Sequence, residues 1–200
     1  MSGRVVAVYG SPRKGGNTEL LLREVVKGMK EAGARVDEIF LREMQFSPCL
    51  ELYACENNGR CAIKDDMEKV YPRLIEMDCF VLASPIFFYA VSAYTKAFID
   101  RCQCFWAGKY LLKKPIAGGK KRKGVFIAVG GSKGQKIFDG PLLTIKYLFD
   151  VLDCELFKTL LYREVDRKGD ILDHPTALSD AYSLGKELIA SLSPAGKIKV

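Results

Sequence analysis

The chain has 200 residues, 48% of them hydrophobic, and carries 31 Lys/Arg against 24 Asp/Glu for a formal net charge of +7. That is apolar material for one sizeable core, so a single α/β domain over 1–200 is expected, and no apolar run nears the roughly 18 residues a membrane span requires. Met1-Ser2-Gly3-Arg4 leads straight into an apolar strand without room for a signal peptide, and seven cysteines, an odd number, do not suit a disulfide framework; together these point to the cytoplasm.

Val5-Val6-Ala7-Val8-Tyr9 reads as a short strand buried on both faces. Gly10-Ser11-Pro12-Arg13-Lys14-Gly15-Gly16-Asn17-Thr18 follows, and then Leu22, Val25, Val26 and Met29 recur on one face of a helix. Strand, small polar loop and helix together present backbone N–H groups and the positive end of a helix dipole to an anion. Ser11 and Thr18 add hydroxyls, Asn17 an amide and Arg13 a guanidinium, a set suited to a phosphate monoester. An ordinary βα turn would share that composition. Neither G-x-G-x-x-G nor G-x-x-x-x-G-K-[ST] occurs at this loop, which excludes the dinucleotide fingerprint and the triphosphate cradle there.

Residues 35–41 form the second predicted strand. The irregular stretch from Gln45 to Lys64 is longer than a usual connection and holds Cys49, Cys55 and Cys61; loops of that length in compact domains are usually functional. Asp65 and Glu68 then have the form of a capping box, opening a helix whose buried face is Met67, Val70, Tyr71, Leu74 and Ile75, with Pro72 expected to kink it. Cys79-Phe80-Val81-Leu82-Ala83 is the third strand. Ser84-Pro85-Ile86-Phe87-Phe88-Tyr89 leaves its carboxyl end as a loop whose three consecutive aromatics suit the face of a planar ring, or partial packing on the core. Ser92 caps the helix that carries Lys96, Asp100 and Arg101.

Cys102 and Cys104 lie two apart on a helix, point away from each other and are assigned to core filling, as are Cys79 and Cys154. Lys109 to Lys123 is rich in Lys and Arg but offers only Tyr110 for base stacking, so it reads as a solvated loop and not a nucleic-acid patch. Residues 125–129 are the fourth strand, followed by Gly130-Gly131-Ser132-Lys133-Gly134, whose glycines admit backbone N–H groups to a ring edge. Residues 155–161 are the fifth strand, and the last helix runs from about Pro175 to Leu192. This alternation predicts a flavodoxin-like, doubly wound, five-stranded parallel sheet of order 2-1-3-4-5, with its ligand where strands 1 and 3 diverge. The single His174 sits in a polar turn and no G-x-S-x-G elbow is present. A chain without an evident acid, base or nucleophile but with three ligand-edge loops leaves the chemistry to a cofactor.

The loop G-S-P-R-x-G-G-N-T after the first strand resembles the NAD(P)H-dependent FMN reductase and iron–sulfur flavoprotein group. The likeness continues at Pro48-Cys49, at Cys61-Ala62-Ile63-Lys64-Asp65-Asp66-Met67 and at Ser84-Pro85-Ile86-Phe87-Phe88. The resemblance implies FMN, with its phosphate on Ser11, Arg13, Asn17 and Thr18. Its ring would lie between Pro85, Ile86, Phe87, Phe88, Tyr89 on one side and Gly130, Gly131, Ser132 on the other. It implies an oxidoreductase taking hydride from NAD(P)H, passing electrons to a flavin, quinone or other small-molecule or protein acceptor, and assembling as a homodimer or homotetramer. The family most often has Tyr where Phe87 stands. The rival readings are an electron carrier between partners such as ferredoxin, without NAD(P)H turnover, and a basic binding protein that merely uses the fold.

In the iron–sulfur flavoproteins the region of 45–64 carries a four-cysteine motif. Cys49, Cys55 and Cys61 match three of its positions, and Leu52, which cannot ligate iron, stands at the other. Three outcomes remain open: cysteines kept for packing; a three-cysteine iron–sulfur cluster, or one completed by Glu51, Glu56 or a cysteine from elsewhere; and zinc or a redox disulfide, although C-x₅-C-x₅-C matches no common zinc spacing.

Overall fold

The computed structural model describes residues 3–192. Strands β1 (Arg4–Tyr9), β2 (Arg35–Phe40), β3 (Cys79–Phe87), β5 (Arg122–Gly130) and β6 (Cys154–Arg163) form a parallel sheet in the order β2-β1-β3-β5-β6. Between them, β4 (Ala90–Val91) pairs antiparallel with the end of β3. Leaving that two-residue hairpin arm aside, the five main strands have the expected order.

Alternation along β1 shows why the sheet is covered twice. Val5, Ala7 and Tyr9 join one core with Leu21, Leu22, Val25 and Met29 of α1 (Asn17–Glu31) and with Ala181, Leu184 and Leu188 of α7 (Ala177–Ala190). Val6 and Val8 face the opposite core, with Phe98 of α4 (Ala93–Arg101) and Ile145, Leu148 and Phe149 of α6 (Asp139–Val151). Successive strand residues point to opposite faces, so an apolar run buried on both sides is what a central parallel strand requires.

The third strand runs further than its apolar composition suggests. Pairing with β1 ends at Tyr9–Ala83, whereas pairing with β5 continues to Pro85–Val129. Beyond Ala83 one flank of β3 is therefore open, and a proline without an N–H can be accommodated there. Ser84-Pro85-Ile86, expected as loop, is strand. The same divergence of β1 from β3 makes the crevice in which open α/β sheets bind ligands.

The helix expected from Asp65 is two pieces. A 3₁₀ turn at Asp66–Lys69 is followed by α3 (Tyr71–Glu76), so Pro72 lies in a first helical turn, where its missing N–H costs nothing, and not inside a kinked helix. Asp65 does accept the Met67 N–H at 3.0 Å, but Glu68 pairs with Lys64 at 2.6 Å and does not close a capping box. Ile75 is 45% exposed, against the expected buried face. The basic segment is also more fixed than a solvated loop: Lys109 pairs with Asp150 and Asp153, Lys120 with Asp78, and Arg122 is buried, donating to the carbonyls of Leu74, Ile75 and Leu152. Two of its seven basic residues are thus in ion pairs and a third is buried. Among the described residues no helix is long and apolar enough to cross a membrane.

Candidate functional site

Three loops meet at the carboxyl edge of β1, β3 and β5. They enclose a cleft of about 120 Å³ lined by Ser11, Arg13, Gly16, Asn17, Thr18, Pro85, Ile86, Phe87, Gly130, Gly131, Val165 and Asp166, among others. Nine of the twelve expected cofactor residues are thus brought together. Phe88, Tyr89 and Ser132 stand outside this lining.

The 10–18 loop is shaped by close packing. Gly10 donates to the Ala83 carbonyl at 2.8 Å, and a Cβ at Gly10 would stand 1.9 Å from the Thr95 hydroxyl. The Gly10 carbonyl accepts from the Ser92 hydroxyl at 2.5 Å, while the Ser92 N–H donates to Ser84 at 3.0 Å and the Ser92 hydroxyl also accepts the Thr95 N–H at 3.1 Å. Ser92 is therefore more than the expected cap: it ties the end of β3, the phosphate-type loop and the start of α4 into one buried hydroxyl cluster. Sequence reasoning had only its capping signal.

At the start of α1 the N-cap is Gly16, with no side-chain cap. The first N–H groups of a helix have no intrahelical partner, so those of Asn17 and Thr18 are available to an anion. Ser11 holds the turn by accepting the Arg13 N–H at 3.1 Å. Gly15 donates its N–H to Glu19 at 3.0 Å, and Glu19, buried in the first turn, is also bound by Arg23 and Arg42, each at 2.8 Å. Burial pushes the Glu19 carboxyl up, but these donors hold it below its usual range. The Asn17 side chain is already engaged: its amide donates to the Arg167 carbonyl at 2.8 Å, and its oxygen accepts from Gly169 at 2.9 Å and Ile171 at 3.4 Å.

Across the cleft, β3 and β4 form a hairpin whose two turn residues, Phe88 and Tyr89, have φ of 49° and 60°. Two successive positive φ values match the favoured hairpin turn, but that turn normally takes Asn-Gly, and aromatic residues there carry strain of about 1–3 kcal/mol each. Phe88 is fully exposed at this turn, with Phe87 and Tyr89 half exposed. Asp166 and Val165, from the β6–α7 connection, complete the wall; sequence reasoning missed both, because nothing local marks that connection as part of the site.

A sequence model of the NADPH-dependent FMN reductase family matches residues 3–139. The chain belongs to that family. An iron–sulfur flavoprotein of Methanocaldococcus jannaschii is 33% identical over 65% of this chain and 63% of its own length, so the chain spans less than two thirds of that relative. A Bacillus subtilis protein provisionally named an NAD(P)H-dependent FMN-containing oxidoreductase is 29% identical over 92% of this chain and 97% of its own. The solved NAD(P)H:quinone oxidoreductase of Methanothermobacter marburgensis shares the fold, with a TM-score of 0.70 and 18% identity over 94% of this chain and 96% of that one.

The family implies FMN, and the cleft's donors fit its phosphate end: free helix-start amides, the Ser11 and Thr18 hydroxyls and the Arg13 guanidinium converge there. At about 120 Å³ the cleft is too small to enclose the whole molecule.

The iron–sulfur relatives imply a cluster as well, and there the residues do not fit. Cys49, Cys55 and Cys61 line a separate, larger cavity of about 580 Å³, with Leu52 59% exposed beside them. Among the described residues no group of three or more His, Cys, Asp or Glu is placed to hold a metal ion. All seven cysteines are free. Burial pushes the Cys55 thiol up, the reverse of a reactive thiolate. Burial likewise lifts the thiols of Cys79 and Cys104 to about 12, and Cys102 is buried too, in keeping with core filling. The cysteine loop is nevertheless firmly anchored at its neck. Buried Arg101 donates to Asp65 at 2.5 and 3.1 Å and to the Ser47 carbonyl at 2.9 Å, and Gln45 N–H donates to Asp66 at 2.8 Å. Nothing in the sequence pattern set Arg101 apart from its exposed helical neighbours.

Proposed function

We propose that the chain is an FMN-dependent oxidoreductase. FMN bound here would supply hydride and electron transfer, taking hydride from NAD(P)H and passing electrons to a flavin, quinone or other acceptor. The chain's own residues bind and orient. The N–H groups of Asn17 and Thr18, the hydroxyls of Ser11 and Thr18 and the guanidinium of Arg13 hold the phosphate as charge-assisted donors. Phe87 and Phe88 give apolar surface to the ring, and the backbone of Gly130 and Gly131 approaches its edge, where N–H donors favour the negative charge that accompanies reduction. No protein side chain is assigned a catalytic proton.

The observation that carries this reading is the convergence of the 10–18, 85–87 and 130–131 stretches on one cleft at the switch point of the sheet. A ring resting on the exposed Phe87-Phe88-Tyr89 hairpin leaves a face for a second copy to cover, which supports a homodimer or homotetramer. Free thiols fit a reducing compartment, here taken as the cytoplasm. The test is FMN titration followed by NADH or NADPH oxidation with free flavin or quinone as acceptor. Steady consumption by the FMN-loaded protein is the expected result, and failure to bind FMN would overturn the reading.

A second reading rests on the iron–sulfur flavoprotein names among the relatives: an electron carrier between partners such as ferredoxin. Bound FMN without NAD(P)H turnover, but with reduction by ferredoxin, would favour it.

A further inference from the structure

The β6–α7 connection is fastened across the mouth of the phosphate-type loop. Its backbone is bent by left-handed conformations at Glu164 (φ 58°) and Gly169 (φ 96°). Val165 N–H donates to the Gly130 carbonyl at 3.2 Å, and the Asp170 carboxylate gathers the N–H groups of Asp166 and Arg167 at 3.1 and 2.7 Å. From the other side, the Asn17 amide makes its three bonds to residues 167, 169 and 171, and Arg13 reaches the Asp166 carbonyl at 3.5 Å.

This latch brings Lys168 over the loop. A Cβ built on Gly15 would lie in ordinary contact with the Lys168 side chain, 3.4 Å from Cε and 3.5 Å from Nζ, which places the ammonium beside the loop; Gly15 itself has φ +64°, a conformation that favours glycine. Among the described residues neither Lys168, Arg13 nor Lys14 is in a salt bridge, whereas the two arginines that face Glu19 are. The carboxylates facing this place are Glu19, which takes the Gly15 N–H and is paired with Arg23 and Arg42, Asp166, which stands against Gly131, and Asp170, which is spent on backbone N–H groups.

We propose that Lys168 is a phosphate-binding residue contributed by the β6–α7 connection, and that Asn17 is a positioning residue that holds it over the 10–18 loop. The proposal rests on FMN being the ligand of this cleft. Its chemistry is direct: a phosphate monoester carries close to two negative charges at pH 7, and Arg13 is the single cation among the donors assigned to it above. Asn17 contributes its backbone N–H to the anion while its side chain works on the neighbouring connection.

The test compares FMN with riboflavin, which has the same ring and ribityl chain but no phosphate. Binding of both is measured by quenching of flavin fluorescence, in the intact protein and in Lys168→Gln, Asn17→Ala and the double variant. Lys168→Gln should weaken FMN binding about three- to tenfold and leave riboflavin unchanged. Asn17→Ala should reduce the preference for FMN over riboflavin, and reduce it by less when Lys168 is already Gln, since the two act in series. Lys168→Arg, which keeps the charge, should retain most of the preference. An unchanged FMN affinity in Lys168→Gln, or equal weakening of FMN and riboflavin, would overturn the proposal. Wild-type protein that binds neither flavin would instead overturn the FMN reading on which it rests.

Discussion

Two loops of this protein invite a ligand, and they are built in opposite ways. The 10–18 loop borders a small cleft of about 120 Å³ and is held along its length by buried Ala83, Ser92, Thr95 and Glu19 and by the 166–171 connection at the surface. The 45–64 loop borders a cavity of about 580 Å³ and is held mainly at its neck, by Arg101, Asp65 and Asp66, while Leu50, Leu52 and Tyr53 stand exposed along it. The larger cavity is made by one loop standing away from α4. The smaller is made by three sheet connections arriving at one point, and only there do donors converge. Convergence of donors, more than volume, marks a binding site.

The largest effect should come from the neck of the cysteine loop. Asp65→Ala leaves the Arg101 guanidinium buried and uncompensated, and should destabilise by about 3–5 kcal/mol in urea unfolding. The same pair gives a pH signature. Burial raises the Asp65 carboxyl, but Arg101 and the Met67 and Ser47 N–H groups outweigh it and hold it below its ordinary value. A depressed folded-state carboxyl adds stability that is present above its unfolded value of about 3.9 and lost as pH falls through the folded one. Asp65→Asn should therefore flatten the acid limb of the wild-type stability curve. An unaltered limb would show that the neck is not what anchors the loop.

Next comes the tight loop. Gly10→Ala sets a Cβ against Thr95 and the Ala83 carbonyl, at 1.9 and 2.8 Å. It should cost about 1–3 kcal/mol and also lower FMN affinity, because strand 3 and the loop must separate to admit it. Loss of stability with full FMN affinity would mean that the loop adapts independently of its scaffold.

A smaller change of opposite sign is expected at the hairpin. Replacing Phe88 and Tyr89 by Asn and Gly relieves two strained left-handed aromatics; the chain entropy that glycine adds to the unfolded state and the strain Asn keeps offset part of this, leaving a net stabilisation of about 1 kcal/mol, with weaker FMN binding as the accompanying loss. A melting curve and an FMN titration on the same variant separate the two effects. The smallest change in stability, under about 0.5 kcal/mol, is expected for exposed Leu52→Cys. After anaerobic incubation with iron and sulfide, this variant should hold both, and the parent chain should not, since four thiolates are the usual requirement. Equal uptake by the two would show that Leu52 is not what separates this loop from a cluster site.

Much of this was legible in the residues. Apolar strands in alternation with helices gave five parallel strands in order 2-1-3-4-5, because strands buried on both faces read as uninterrupted apolar runs. The glycine- and hydroxyl-rich loop, the aromatic loop and the glycine loop were each visible because turn and ligand chemistry is local in sequence. What could not be read was where long side chains and distant connections would finish. Pro72 read as a kink because a 3₁₀ turn followed by a new helix has the same apolar spacing as one longer helix. Arg101 and Arg122 carry no local mark of burial, yet both are buried: the carboxylate and carbonyls that bind them lie 30 or more positions away.

Asn17 shows the boundary most clearly. By itself the sequence determined that an amide would stand at the start of α1 after a glycine- and hydroxyl-rich loop, since loop, cap position and helix phase are local properties. Only the tertiary structure decided that the amide would turn away to hold residues 167–171, because that partner arrives from beyond β6 and is set by packing across the sheet. The family and the edge of the sheet that binds were in the sequence. Which side chains line that edge, and which of them tie distant connections to it, was settled by the fold.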